Sequence, residues 1–487
     1  MQPLTDTASS IQDLLRGISK FLMPSRKILF LIIIGLAVRF ALAPWTSWTE
    51  DIYPFYRTSV DMLTGAGVYG HAAFSYPPLF AFVLYPFVWL LSLFLDPAVW
   101  GTVVFEMVDA AQTTGMLVPM VTHPAFNLAV KAPIILADLL MGLILYNFVK
   151  EWKDEIWARR IFIIWFLNPL VIWVSSISAQ IDVFPAILTL LAFICFYRKR
   201  FFFAGLALGI GFFFKLYPSY LIIFYLILII GWEFRIGNKM WKGIALRNAL
   251  KFIVGGMVSL LTILPAFLTS GWMFDFILRR SGSPNIGGFN IFFFAPYSGT
   301  SVGGATSSVL PIDISLILFL LLIAATVVIA IIFSMTIKPQ KGNILRIFAM
   351  GNLIVLVTIL LLQPVTNPQH FLWIFPFLLI LTLWEGRMER KIFLLTILGL
   401  LYLIGLQSFN ALLYPTAVYT PLLDPSSLSD SIIRYFTAYD YLARNFWLLS
   451  ITAVGVLTLI TIYLPEKYDP IEMVYAKLKE WRASREG

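Results

Sequence analysis

"YPPLFAFVLYPFVWLLSLFL", residues 76–95, decides how the rest of the chain is threaded. It is apolar enough to cross a bilayer core, which takes about 20 apolar residues. If it crosses, every later loop changes sides. The chain around it has 487 residues, of which 60% are hydrophobic, 16% aromatic and 13% charged. Soluble domains carry about 25% charged residues. Its apolar runs are continuous rather than alternating, which predicts helices and not a membrane barrel. The expected fold class is all-α: a polytopic membrane helix bundle of about 12 transmembrane helices, with a long first outer loop containing interfacial helices.

The expected spans are 28–44, 128–149, 160–177, 182–197, 201–215, 217–232, 250–269, 313–334, 345–363, 369–384, 391–408 and 445–464. With the N-terminus inside, the inner segments hold 27 Lys/Arg and the outer ones 6, with Arg39 and Lys131 inside spans. Such asymmetry predicts a cell-membrane protein with both termini cytoplasmic. A crossing at 76–95 would turn "RKR" (198–200) and the basic stretch 235–251 outward. The run therefore reads as a helix lying in or dipping into the outer leaflet. Pro77, Pro78 and Pro86 fit an interrupted helix. Residues 45–127 are then one outer segment without a span, and segments that long are usually functional. Residues 1–464 read as a single membrane domain, and 465–487 as an amphipathic, basic cytoplasmic tail.

Several classes are set aside. The net charge of +9 lies between apolar runs rather than on a basic stripe, so no nucleic-acid partner is expected. Cys195 is the one cysteine, which leaves no disulfide framework. "ALA" (41–43) resembles a signal cleavage site, but Pro44 and Arg39 favour a retained first helix. Walker, Rossmann and Gly-x-Ser-x-Gly signatures are missing, as is any fixed-period repeat. His71, His123 and His370 are scattered and form no HExxH motif, so no metal and no cofactor are assigned, a divalent cation being left open.

The candidate site residues lie where runs end. Glu50 and Asp51 follow the first run, among Trp45, Trp48, Tyr53 and Tyr56. A carboxylate there can be a general base where water is excluded, or simply a charged helix end in an aromatic belt. Gln180 and Asp182 sit at an outer hairpin, and Asp182 could equally cap the following helix. Lys215, at a tight outer corner in "FFFKLYPSY", suits a lipid-linked phosphate or can snorkel to headgroups. Arg279 and Arg280 are the paired outer cations, beside the Gly/Ser-rich stretch 281–309. Lys131 is a weaker phosphate candidate, and Asp138, seven residues on, reads as a structural ion pair or polar bridge. Gln369 and His370 follow Pro368 in another outer hairpin.

In order along the chain, these pieces resemble the GT-C superfamily of integral-membrane glycosyltransferases. The resemblance is nearest to mannosyltransferases that use polyprenyl-phosphate sugars, including the GPI mannosyltransferase I type. It rests on "EDIYPFYRTSVDMLTGAGVYGHAAFSYPPLFAF" (50–82), "KAPIILADLLMGLILY" (131–146), "FLNPLVIWVSSISAQIDVFPAILTLLAF" (166–193), "KLYPSYLIIF" and "NPQHFLWIFPFLL", over roughly residues 28–384. Tyr53 stands where some relatives have the second Asp of Asp-x-Asp, and Ala179 where relatives often have Gly. The resemblance implies Asp51 as catalytic base, with Glu50 as the alternative. It implies a polyprenyl-phosphate (dolichyl-phosphate) mannose donor and a lipid-linked or glycan acceptor, with membrane lipids as surroundings. Lys215, Arg279, Arg280 and Lys131 are then candidates for the donor phosphate, and Tyr76, Gln180, Asp182, Gln369 and His370 for sugar hydroxyls. A transporter or lipid flippase is the main rival, and a non-catalytic scaffold a second. Repeat symmetry and midplane polar residues, which a transporter predicts, are not evident in the sequence.

Overall fold

The computed structural model describes residues 26–71, 74–108, 115–235, 241–270, 287–291, 314–336, 344–407, 409–429 and 441–475. Helices run through nearly all of them. They are α1 (Arg26–Leu42), α2 (Thr49–Leu63), α3 (Leu79–Ser92), α4 (Pro124–Trp152), α5 (Glu155–Phe166) and α6 (Pro169–Ile172). Then follow α7 (Val183–Tyr197), α8 (Phe201–Phe212), α9 (Pro218–Arg235), α10 (Trp241–Val258) and α11 (Leu264–Ser270). The remainder are α12 (Ile314–Thr336), α13 (Ile344–Leu362), α14 (Phe371–Leu381), α15 (Arg387–Leu406), α16 (Phe409–Leu412), α17 (Tyr414–Tyr419) and α18 (Tyr441–Ile460).

Six of these stretches are long and apolar enough to cross a membrane, and seven if α5 and the segment Pro169–Ile177, bent by 45°, count as one. Each of the twelve expected spans overlaps helix, but the one expected at 250–269 falls on a helical stretch that starts at Trp241 and breaks after Val258, and the one at 160–177 on the bent pair. Val183–Tyr197, Phe201–Phe212, Pro218–Gly231 and Pro368–Leu381 are shorter apolar helices, as is Leu79–Ser92 of the YPPL run. At 1.5 Å per residue, the 14 residues of α3 rise about 21 Å, short of a core about 30 Å thick.

Among the described residues, two short strand pairs depart from the all-α expectation, one of them the two-residue parallel contact of Gly287–Gly288 with Val365–Thr366. Within the first long loop, β1 (Thr102–Val108) and β2 (Gly115–Val121) pair antiparallel, Thr102 opposite Val121 and Val108 opposite Gly115. "TVVFEMV" and "GMLVPMV" are rich in Val, which favours strands. Trp100 returns this ribbon to the bundle by stacking on Phe126 at 5.1 Å, at the start of α4.

Two packing devices fix the bundle. Gly205 and Gly209 on α8 face α10 so closely that a Cβ on Gly205 would lie 1.9 Å from the Phe252 carbonyl oxygen. Small residues four apart let membrane helices approach in this way. Arg39 on α1 and Asp138 on α4 are both fully buried and paired at 3.2 Å. The Arg39 guanidinium also donates to the Phe166 carbonyl at 2.7 Å, joining α1, α4 and α5. Asp138 is thus the polar bridge between helices that its position predicts.

The contacts define two ends of the bundle. At the loop face, Ser47 N–H donates to the Leu412 carbonyl, the Thr46 hydroxyl to that of Ser176, and Leu79 N–H to that of Phe213. At the opposite tail face, Arg160 meets Glu389, Arg198 meets Glu151, and Lys391 meets Asp469. Of the tail expected after 464, residues to 475 are described.

Candidate active site

The loop face holds a compact polar corner. Asp182 is fully buried between the turn after Ile177 and α7. Lys215, 5% exposed, donates from Nζ to both of its oxygens, at 2.7 and 2.8 Å. Trp373 Nε1–H donates to Asp182 Oδ1 at 2.7 Å. The Trp373 ring stacks on Tyr217 at 4.0 Å, lies 4.4 Å from the His370 ring, and sits 5.8 Å from the Lys215 ammonium. His370 Nδ1 is 3.1 Å from Gln363 Nε2, which also donates to the Thr366 hydroxyl. A buried charge in apolar surroundings is tolerated when paired and hydrogen-bonded, and Asp182 and Lys215 meet both conditions.

Local sequence explains the corner. The turn into α7 passes through Ala179 at φ +60°, left-handed backbone that costs a non-glycine residue roughly 1–2 kcal/mol. This strained residue stands where the resemblance places a glycine. Gln180, 7% exposed, follows directly and donates its backbone N–H to Val174. Leu216, Tyr217 and Pro218 turn the chain sharply between α8 and α9, which leaves Lys215 pointing at Asp182. Gln369 is buried beside His370 in the 3₁₀ turn Pro368–His370.

The YPPL segment seats on this corner. Phe80 packs on Phe184 at 5.6 Å, and Phe184 stacks on Phe214 at 4.9 Å, next to Lys215. On its other side Phe80 meets Phe55 of α2 at 4.8 Å. Asp51, 8% exposed, lies four residues before Phe55, one turn back on the same helical face. The aromatic row Phe55–Phe80–Phe184–Phe214 therefore ties the helix of Asp51 to the Asp182–Lys215 pair. Glu50 lies in the same first turn of α2. Tyr76 packs its ring on Phe55 at 5.5 Å, and its carbonyl accepts from the Tyr69 hydroxyl.

One phosphate candidate, Lys131, falls outside the corner. Lys131 is fully buried and donates to Ala43 O at 3.0 Å, Thr46 O at 2.6 Å and Thr46 Oγ1 at 2.8 Å. Those bonds use all three ammonium donors on the 3₁₀ turn Ala43–Trp45 that follows α1 and on its C-cap Thr46, so Lys131 secures that turn rather than presenting a cation to a ligand. Arg279 and Arg280 lie outside the described residues, as does most of 281–309. Among the described residues, no three His, Cys, Asp or Glu side chains converge as a metal site.

A family model described as glycosyltransferase family 87 matches residues 74–364 of the chain. The chain belongs to glycosyltransferase family 87. That makes it a multi-pass membrane protein of a glycosyltransferase family, with sugar donor and acceptor as its substrate classes. The match spans α3 to the end of α13 and so includes Gln180, Asp182 and Lys215, while Asp51 and His370 lie on either side of it. No curated protein matches the chain.

Sequence reasoning missed Trp373, Tyr217 and Gln363. An indole N–H inside an apolar run needs an acceptor, and Trp373 comes one helical turn after His370. That spacing was the available signal.

Proposed function

We propose that this family 87 protein is an inverting transferase that moves mannose from a polyprenyl phosphate to a lipid-linked or glycan acceptor. The reaction takes place at the outer face of the membrane, with twelve spans and both termini inside. What carries the reading is the joining of the Asp51 loop to the Asp182–Lys215–Trp373 corner through one aromatic row. The mannose, the lipid phosphate and the threading rest on the resemblance and on the charge balance of the loops.

In the reaction, the acceptor hydroxyl oxygen forms a bond to C1 of the sugar. Its proton passes to the Asp51 carboxylate, with Glu50 the alternative base. The bond from C1 to the phosphate oxygen breaks, and the polyprenyl phosphate leaves with the electron pair. One displacement inverts C1 and needs no second carboxylic acid, because phosphate is already a good leaving group. Fixed cations stabilise the charge that develops on the phosphate. Lys215 takes that role first, with Arg279 and Arg280 next, and Lys131 is left out of it. Pairing with Asp182 keeps Lys215 charged and oriented where an isolated ammonium would be costly. Gln180, Asp182, Tyr76, Gln369 and His370 are proposed to hold sugar hydroxyls.

The test is transfer by purified protein in liposomes, from radiolabelled polyprenyl-phosphate mannose to a panel of acceptors. A labelled product lost in Asp51→Asn is the expected result. Near wild-type transfer by that variant would falsify the assignment of the base. Passage of labelled donor across the bilayer without a new glycosidic bond would favour the transporter.

A further inference from the structure

A groove of about 710 Å³ runs between α1 and α5 at the tail face, at the other end of the bundle from the corner. Its floor is apolar, formed by Phe30, Ile163 and Ile164 among others. Phe30 is 64% exposed and Ile163 40% exposed, so the floor is open to the surroundings of the bundle. Apolar exposure alone is ordinary for a membrane helix. The rim is not: Lys27, Arg159 and Arg160 line the groove against one carboxylate, Glu389.

Arg160 is taken up by Glu389 at 2.5 Å. Among the described residues, Lys27 and Arg159 have no carboxylate partner, and Arg159 donates from Nε only to the Glu155 carbonyl at 3.4 Å. Trp157 lies beside these cations, with Lys153 at 4.2 Å and Arg160 at 5.2 Å from its ring. Tryptophan with Lys and Arg at a helix end marks headgroup depth. An apolar trough rimmed by two uncompensated cations at that depth complements one kind of occupant, an acyl chain joined to a negative phosphate.

We propose that this groove binds an anionic phospholipid. One acyl chain lies along Phe30, Ile163 and Ile164, and the phosphate is held by Lys27 and Arg159, with Arg160 held at the rim by Glu389. The site is separate from glycosyl transfer and does not depend on its mechanism.

The test uses the full-length protein in mild detergent, offered equal amounts of phosphatidylglycerol and phosphatidylcholine with matched chains. Retained lipid is read by native mass spectrometry. Wild type should keep phosphatidylglycerol over phosphatidylcholine by about fivefold or more, as expected for two near-surface cations. Lys27→Gln/Arg159→Gln should bring the two lipids to parity, and Arg159→Lys should preserve the preference. Lys27 is exposed, so Lys27→Gln alone gives a folded control in which the preference should fall part-way. Parity in wild type overturns the proposal, as does an unchanged preference in the double variant. A preference that emerges only after residues 1–24 are removed also overturns it, since the groove would then belong to the chain's own N-terminal segment.

Discussion

The two ends of the bundle both use ion pairs, but they build them differently. At the tail face, the first turn of α15 spreads four charged side chains over several neighbours. Arg387 reaches Glu385 and the Leu464 carbonyl, Glu389 meets Arg160, Arg390 meets Glu472, and Lys391 meets Asp469. Exposure varies among them: the Arg160 and Glu389 side chains are 51% and 34% exposed, whereas Lys391 and Asp469 are fully buried. At the loop face, among the described residues, the pair Asp182–Lys215 is walled by Trp373, Tyr217, Phe184 and Phe214. Exposed pairs contribute about 0–1 kcal/mol each, whereas the desolvation cost of a buried pair can exceed its attraction. The tail-face pairs therefore act together as a clasp that holds residues 464–472 to α15. Stability is a poor reason to keep such a pair behind aromatic walls, and chemistry is a better one. Lys391–Asp469 is buried too, but its other partners, the Thr461 hydroxyl and Arg387, belong to the clasp itself.

The largest expected effect is on rate at the loop face. Asp51→Asn should lower transfer about 10²–10⁴-fold, the usual contribution of a general base, with little change in thermal stability. Next come the variants that split structure from chemistry within the pair. Asp182→Ala removes the carboxylate that pairs with the buried Lys215 ammonium and should cost about 3–5 kcal/mol. Asp182→Leu/Lys215→Met removes both charges and should recover most of that stability while transfer stays lost. Recovery of transfer in the double variant would reduce the corner to a structural pair, the same in kind as the clasp. At the tail face, Arg160→Gln should cost under about 1 kcal/mol in a denaturation series and leave transfer unchanged.

The bundle was legible because apolar length and the sidedness of Lys and Arg are properties of a linear chain. The expected spans fall on helices, six or seven of them long and apolar enough to cross, and the YPPL run forms a 14-residue helix packed on the corner. The site was legible only in pieces. Lys215, Asp182 and His370 stand out as polar residues in apolar sequence, but nothing in "FFFKLYPSY" says that its lysine faces Asp182, 33 residues earlier. Lys131 stands out for the same reason but secures the turn after α1, because orphan carbonyls and a ligand make the same demand on an ammonium. Trp373 was hidden by its type, since a tryptophan in an apolar run looks like packing until its N–H has to be satisfied. Ala179 was noticed as a departure from glycine, and its φ of +60° gives the physical meaning. Ala179→Gly should stabilise the protein by about 1 kcal/mol, by releasing left-handed strain at the turn before Asp182. A loss of stability on that change would mean that the Ala179 methyl contributes more by packing than its left-handed backbone costs.

Acid titration should separate the two ends, with the smallest effect of the set. At the loop face, His123 caps α4 by accepting the Ala125 N–H on Nδ1 at 3.2 Å, which requires a neutral ring nitrogen there. Burial lowers its pKa from the usual 6.5. The unfolded chain then binds a proton that the folded one resists, so this contribution is complete above about pH 6.5 and declines as pH falls below it. At the tail face, burial alone would raise the Glu385 carboxyl, but hydrogen bonds from Arg346 and Arg387, and their charge, hold it below its usual 4.5. Its contribution is complete above about pH 4.5 and is lost only as pH falls through the lower folded value. Thermal unfolding followed from pH 7 to pH 4 should therefore weaken first through His123 and later through Glu385. His123→Asn, which keeps a capping acceptor without the titration, should flatten the earlier decline and spare the later one. Glu385→Gln should do the reverse. If His123→Asn leaves the earlier decline in place, the loop face is losing stability to acid through some group other than this cap.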